Sequence, residues 1–325
     1  MAERTVDVIT AGEAMALFMA AEATPLADVR AFQRATAGAE LNVAVGLARL
    51  GLRVAYLSAV GDDSLGRHLL DFIASQGVDP RHVRIDAGHP TGFMLKALAA
   101  GGADPQVEYY RRGSAASRLS LADLPPDDWP GARLLHLTGI LPALSDSCRE
   151  LARTLAWRAR AAGRLVTFDP NLRPRLWASQ AAMVATVNEL AAMADVVLPG
   201  LAEGRLLTGR ATPEDIAAFY LARGASLVIV KLGAAGAYYA TVTESGIAAG
   251  VPVTHVVDTV GAGDGFATGV ISALLEGLAP AAAAARGNAI GARVLGFRGD
   301  CDGLPTRAEL ERMLPPHGTT TRRHA

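Results

Sequence analysis

Asp258-Thr-Val-Gly261-Ala-Gly263-Asp264-Gly265-Phe-Ala-Thr-Gly269 is the stretch on which the reading of this chain turns. It follows an apolar, β-rich run at 251–257. It leads into Phe266-Ala-Thr-Gly-Val-Ile-Ser-Ala-Leu-Leu275, whose apolar residues have helical spacing and stop at Gly277. The pattern therefore places Gly261 and Gly263 where a strand ends and a helix begins. Glycine lets the backbone turn tightly there and present N–H groups to a guest. The helix dipole adds partial positive charge at the same place, so the turn suits a phosphate. Asp264 is the odd member, because a carboxylate beside an anion site repels the anion unless it takes a proton from the attacking group. Phosphoryl transfer to an alcohol has that need. Gly261, Ala262, Gly263 and Asp264 are accordingly the candidate catalytic residues, the turn as anion hole and the carboxylate as base.

Blander readings exist for each part. Gly-rich strand-to-helix turns are common, and Asp is a routine helix N-cap. A dinucleotide-binding fingerprint would need a third glycine at 266, which is Phe, and no Gly-Lys-Ser/Thr of a Walker A loop occurs anywhere. The rest of the chain has to decide.

From residue 133 onward the pattern alternates. Apolar strand-like runs at 134–137, 165–168, 196–198, 227–230 and 253–257 are separated by helical stretches at 145–162, 179–194 and 212–223. Thr212-Pro213-Glu-Asp215 offers an N-cap followed by Pro, and Thr306-Arg-Ala-Glu309 a capping box. Earlier, runs at 6–12 and 53–60 read as strands. The stretch 37–51 reads as a helix between glycines, and Asp62-Asp63-Ser64 caps a helix whose Leu65, Leu69, Phe72 and Ile73 share a face. Residues 91–98 and 106–112 flank the turn-like Gly101-Gly102-Ala-Asp-Pro105 and read as a β-hairpin. Such alternation predicts an α/β fold, a mostly parallel sheet with helices on both faces and a ligand site at the carboxyl ends of its strands.

Composition narrows the function. The chain has 325 residues, room for one large α/β domain or two modest ones. Its formal net charge of −1, without basic runs, argues against nucleic acid. No apolar span of membrane length and no signal-peptide pattern appear, so no membrane is expected. Cys148 and Cys301 show no metal spacing and point to a reducing, cytoplasmic setting without a structural disulfide. His136, inside an apolar strand, reads as a packed residue rather than a catalyst. Lys96 and Lys231 are the sole lysines, which leaves arginine as the main tool for binding anions.

Two distant motifs in order, Gly38-Ala-Glu-Leu-Asn42-Val-Ala-Val-Gly-Leu-Ala-Arg-Leu-Gly51 with Val60-Gly-Asp-Asp-Ser-Leu-Gly66 near the start and 258–269 near the end, resemble the PfkB (ribokinase-like) family of sugar and nucleoside kinases. The resemblance extends to about residue 313. It implies one kinase domain over 1–313, with a small β-lid built from about 13–36 and 89–113; the tail at 314–325 carries no apolar period and is expected to be disordered. It implies ATP and Mg²⁺, and it leaves open a monovalent-cation requirement near Asp258. Lid strands that pair between subunits would make the protein a homo-oligomer.

By the same resemblance the nucleotide lies over Gly233 and Gly236, after Lys231, and beside Asn288, with Gly261 and Gly263 under its phosphates. A β-hairpin would explain Gly233 and Gly236 equally well. The resemblance gives Glu203 the task of ordering magnesium, although Gly200 stands where many members have Asn. Within the family, four stretches are similar to the kinases of 2-keto-3-deoxygluconate: Gly38-Ala-Glu-Leu-Asn-Val-Ala44, Tyr109-Tyr-Arg-Arg-Gly-Ser-Ala-Ala-Ser-Arg-Leu119, Asp169-Pro-Asn-Leu-Arg-Pro-Arg-Leu-Trp177 and Gly299-Asp-Cys-Asp-Gly-Leu-Pro305. They imply that Gly38, Asn42, Tyr109, Arg111, Arg173 and Asp264 hold a sugar acid. Met94 stands where some relatives have a substrate-contacting Tyr. Two arginines also suit a carboxylate on chemical grounds, unless each pairs with a protein acid or faces solvent. The expected activity is ATP-dependent phosphorylation of the primary hydroxyl of that acid. The rival readings are a fructose-type or nucleoside kinase, a nucleotide-binding regulator without catalysis, and an oxidoreductase.

Overall fold

The computed structural model describes residues 6–98, 105–125, 129 and 131–313. Residues 101–104 of the expected turn and the 314–325 tail fall outside them. The N-terminal strands are β1 (Val8–Ala11), β2 (Met15–Ala20), β3 (Phe32–Ala37), β4 (Val54–Gly61), β5 (Val83–Asp86), β6 (Phe93–Lys96) and β7 (Val107–Tyr110). Then come β8 (Leu134–Thr138), β9 (Leu165–Asp169), β10 (Val196–Val197), β11 (Leu227–Lys231), β12 (Gly236–Ala240) and β13 (Ser245–Ala249). Helices α1 (Ala39–Arg49), α2 (Ser64–Ser75), α3 (Leu141–Leu144), α4 (Asp146–Ala161) and α5 (Gln180–Ala191) interleave with them. The chain continues through α6 (Leu201–Thr208), α7 (Pro213–Leu221), α8 (Ala262–Leu275), α9 (Pro280–Val294) and α10 (Arg307–Met313).

Nine strands form one sheet in the order β13-β12-β11-β10-β9-β8-β1-β4-β5, parallel from β5 to β11 and antiparallel through β12 and β13. Strand side chains alternate faces with period two. In β4, Ala55, Leu57 and Ala59 join the core under α4, α5 and α7, while Val54, Tyr56 and Val60 join the core under α1, α2, α8 and α9. In β11, Val228 and Val230 divide from Leu227 and Ile229 in the same way. Both faces are thus apolar and both are covered, as a parallel sheet requires.

The expected helix starts hold. The side chains of Asp63, Ser145, Ser179 and Thr212 each accept a backbone N–H of the first turn of α2, α4, α5 and α7, and Thr306 and Glu309 bond reciprocally at the start of α10. A second sheet, in the order β3-β2-β6-β7, combines the expected hairpin β6–β7 with two strands from the 13–36 segment. Its inner face carries Met15, Leu17, Met19 and Met94.

One expected strand is absent. Residues 251–257 pair with no strand among the described residues, and most are exposed or half-exposed. The edge of the large sheet belongs instead to the β12–β13 hairpin. The anion turn therefore follows an irregular segment, held where the Val257 N–H donates to the Leu295 carbonyl at 2.8 Å. Cys148 and Cys301 are buried free thiols. His136 is buried, bonds Thr167 at 3.0 Å, and is pushed down to about 3 by burial and then by Lys231, so it stays neutral. Among the described residues no helix is long and apolar enough to cross a membrane.

Candidate active site

Strand ends deliver polar residues to one cleft. Asp169 ends β9 and Lys231 ends β11. The start of α1 brings Gly38 and Asn42, and α8 begins at the far side with Gly261, Gly263 and Asp264. The small sheet covers the cleft with Met15, Met94, Tyr109 and the adjoining Arg111.

Gly261 and Gly263 are glycines for different reasons. Gly261 caps α8 with φ of 84°, and a Cβ there would stand 2.8 Å from the Asp300 carbonyl oxygen. Gly263 has an ordinary helical backbone, so no special angle explains it. Its missing Cβ would face the cleft, 3.8 Å from Lys231 Nζ. Gly263→Ala is therefore expected to leave the melting temperature nearly unchanged and lower kcat, because its methyl group enters space a phosphate would use. Gly261→Ala should cost roughly 1–3 kcal/mol of stability through its left-handed backbone. A Gly263→Ala protein that melts early but keeps normal turnover would make that glycine structural.

Asp264 sits in the first turn of α8 and is 8% exposed. Asn42 Nδ2 donates to its Oδ2 at 2.7 Å, and Asn171 Nδ2 approaches Oδ1 at 3.4 Å. Burial pushes its carboxyl up to about 7. The Asn42 hydrogen bond and Arg173 oppose that shift, and Asp169 and Asp300 add to it. A carboxylate with that proton affinity is suited to accept a hydroxyl proton near neutrality. Asn42 faces the base rather than an open space: its Oδ1 accepts the Cys301 thiol at 3.0 Å. Gly38, with φ of 138°, lets the chain pass the Glu13 carbonyl, which a Cβ would meet at 2.4 Å.

The cations are unequal. Arg111 is buried against Glu13, with Nε donating to Oε2 at 2.6 Å, and Ser114 also donates to that carboxylate. Its charge is thus matched within the protein. Lys231 Nζ donates to Asp169 Oδ2 at 2.7 Å. Burial works against its charge, but Asp169 and Glu203 outweigh this and hold its pKa above the usual lysine value. Arg173 is half-buried, and its hydrogen bonds go to the backbone carbonyls of Leu172 and Asn171. Among the described residues it makes no ion pair.

Glu203 closes the start of α6. Its Oε2 accepts the Gly200 N–H and its Oε1 the Leu172 N–H, both at 2.8 Å, so it clamps the 169–177 loop beside the cleft. Glu203 also lines the cleft, and one carboxylate there would suffice for Mg²⁺, which needs few protein ligands when phosphates and waters supply the rest.

Gly233, Gly236 and Asn288 do not line the cleft with the others. Gly233 (φ 62°) is open above its Cα, whereas a Cβ on Gly236 would collide with the Ala248 carbonyl at 2.1 Å, so hairpin packing alone demands glycine there. Asn288 Nδ2 donates to the Ala248 and Ala249 carbonyls at 2.9 and 3.1 Å, tying α9 to β13. Asn171, Asp169 and Asp300 were not among the expected site residues. The signal for the first two was their position at the carboxyl end of β9, and Asn171 adds a left-handed φ of 37° that a non-glycine residue seldom adopts.

A glycine turn at a helix start with a buried carboxylate beside it, at the carboxyl ends of a parallel sheet, is an arrangement suited to phosphoryl transfer. The family model described as pfkB family carbohydrate kinase matches residues 6–307. The 2-dehydro-3-deoxygluconokinase of Bacillus subtilis (strain 168) is 51% identical over 314 residues, 96% of this chain and 97% of that one. A solved PfkB protein from Polaromonas sp. JS666 superposes with a TM-score of 0.87 at 52% identity, covering 94% of this chain and 99% of that one. A ribokinase II candidate from Escherichia coli, in complex with ATP and Mg²⁺, superposes at 0.86 with 26% identity over 95% and 98%. The chain belongs to the pfkB family of carbohydrate kinases. It is an ATP-dependent sugar kinase.

Proposed function

We propose that this kinase phosphorylates the primary hydroxyl of a sugar acid, 2-keto-3-deoxygluconate, to give the 6-phosphate. The observation that carries this is Arg173. Of the three cations that line the cleft among the described residues, Arg111 and Lys231 face protein carboxylates, and Arg173 is left to meet a carboxylate on the substrate. The Bacillus relative is consistent with the same substrate. Asp264 takes the hydroxyl proton as the new O–P bond forms and the bond to the ADP oxygen breaks. The N–H groups of the 261–264 turn, with Lys231 beside them, stabilise the transferring group. Magnesium, anchored beside Glu203, would neutralise charge on the nucleotide phosphates. Tyr109, exposed at the cleft, and Met94, its cross-strand partner on β6, shape the sugar pocket. The small sheet acts as a lid that excludes water and limits wasteful ATP hydrolysis. The nucleotide extends from the turn over Gly233 toward Asn288. A homo-oligomer in the cytoplasm completes this reading. ADP release measured across sugar acids, neutral hexoses and nucleosides tests it. The highest kcat/KM is expected for 2-keto-3-deoxygluconate, and a preference for fructose or a nucleoside would overturn the assignment.

A further inference from the structure

One of the two lysines has no part in the cleft. Lys96 is the last residue of β6, on the small sheet, and its side chain is 3% exposed. Its ammonium sits against three oxygens: Asp258 Oδ2 at 2.7 Å, Asp300 Oδ1 at 2.9 Å and the Arg298 carbonyl at 2.9 Å. An ammonium carries three N–H donors, so all three are engaged. Burial opposes its charge, yet Asp300 and Asp258 outweigh this and hold its pKa above the usual lysine value.

The cluster lies directly behind the anion turn. Asp258 Oδ1 accepts the Val260 N–H at 3.0 Å, and the Asp300 carbonyl is the atom that a Cβ on Gly261 would strike. Two buried carboxylates here would repel the phosphate in front of them, through a medium that screens poorly. Two carboxylates and a carbonyl are also the kind of oxygen set that replaces the water shell of a monovalent cation. The resemblance to the kinase family left such a cation near Asp258 open. The residues do not fit one, because Lys96 already engages those oxygens.

We propose that Lys96 is a built-in replacement for that ion. It is a positioning residue whose tethered ammonium neutralises Asp258 and Asp300 behind the turn, so that phosphoryl transfer by this chain is independent of potassium. Being covalently attached, this cation cannot dissociate at low salt. It also joins the small sheet to the anion turn, and Arg298 Nη2, donating to the Ala20 carbonyl of β2 at 2.8 Å, makes a second tie nearby. The proposal rests on the kinase reading of the cleft.

The wild-type enzyme, saturated with sugar acid and MgATP, is expected to turn over equally in a buffer whose monovalent cations are all tetramethylammonium and in one with excess potassium. Lys96→Met keeps a long unbranched side chain and removes the charge. In tetramethylammonium it is expected to lose roughly tenfold or more in kcat/KM for MgATP, and to recover most of that on addition of potassium or ammonium. A mechanical strut would not be rescued by a free ion. A folded Lys96→Met enzyme that is equally slow in every salt overturns the proposal. So does a wild type activated severalfold by potassium. Should Lys96→Met be too unstable for kinetics, its melting temperature is compared in the two salts: a potassium-specific rise supports the role, and equal values overturn it. If it does not fold in any salt, the wild-type comparison decides. A wild type that phosphorylates no acceptor would defeat the kinase reading itself, and the melting comparison would still decide the lysine's role.

Discussion

Asp264→Asn is expected to leave the fold and nucleotide binding intact and to lower kcat by roughly 10²–10⁴-fold, the usual contribution of a general base. The substitution preserves shape, and its carbonyl oxygen can still accept from Asn42, whose Nδ2 lies 2.7 Å from Oδ2 in the native protein. What disappears is the ability to take a proton. The pH profile gives a second readout. Burial lifts the Asp264 carboxyl to about 7, and only the ionised form acts as a base. Wild-type kcat should therefore fall as pH drops through about 7, approaching tenfold per unit well below it, whereas the residual activity of Asp264→Asn should lack that limb. Near-wild-type turnover at saturating sugar would rule out the role.

Arg173→Ala is expected to lower kcat/KM for 2-keto-3-deoxygluconate by roughly 10- to 150-fold, the loss of one charge-assisted hydrogen bond to a carboxylate. A neutral hexose should suffer much less, because it has no carboxylate to leave unpaired. The structure sharpens the choice of residue. Removing Arg111 would strand the buried Glu13, so its loss would mix binding with damage to the small sheet. Arg173 leaves no carboxylate behind. Since Arg173 also holds down the proton affinity of Asp264, the comparison belongs well above pH 7, where the base stays ionised in both proteins. Equal losses on acid and neutral sugars would remove the sugar-acid assignment and leave the kinase standing.

Local rules acting within a few residues were legible in the chain. The caps at Asp63, Ser145, Ser179 and Thr212 bond backbone groups three positions away, and strand alternation depends on nearest neighbours. Those signals gave the parallel sheet, and with it the end at which Asp169, Lys231 and the turn before α8 meet. The segment at 251–257 had the right residue types for a strand, but a strand needs partner N–H and C=O groups. The edge was already taken by β12 and β13.

Partnership across long separations belonged to the tertiary structure alone. That Arg111 is neutralised by Glu13, 98 positions away, while Arg173 makes no ion pair among the described residues, depends on which side chains the folded sheet brings within ion-pair reach. The proton affinity of Asp264 is likewise a property of its burial, and no residue type encodes that. Lys96 is the extreme case. In the sequence it is one lysine in an edge hairpin, and its chemistry exists only because Asp258 and Asp300, 162 and 204 positions on, close around it. Charge acts through space, and only the fold sets the distances over which it acts.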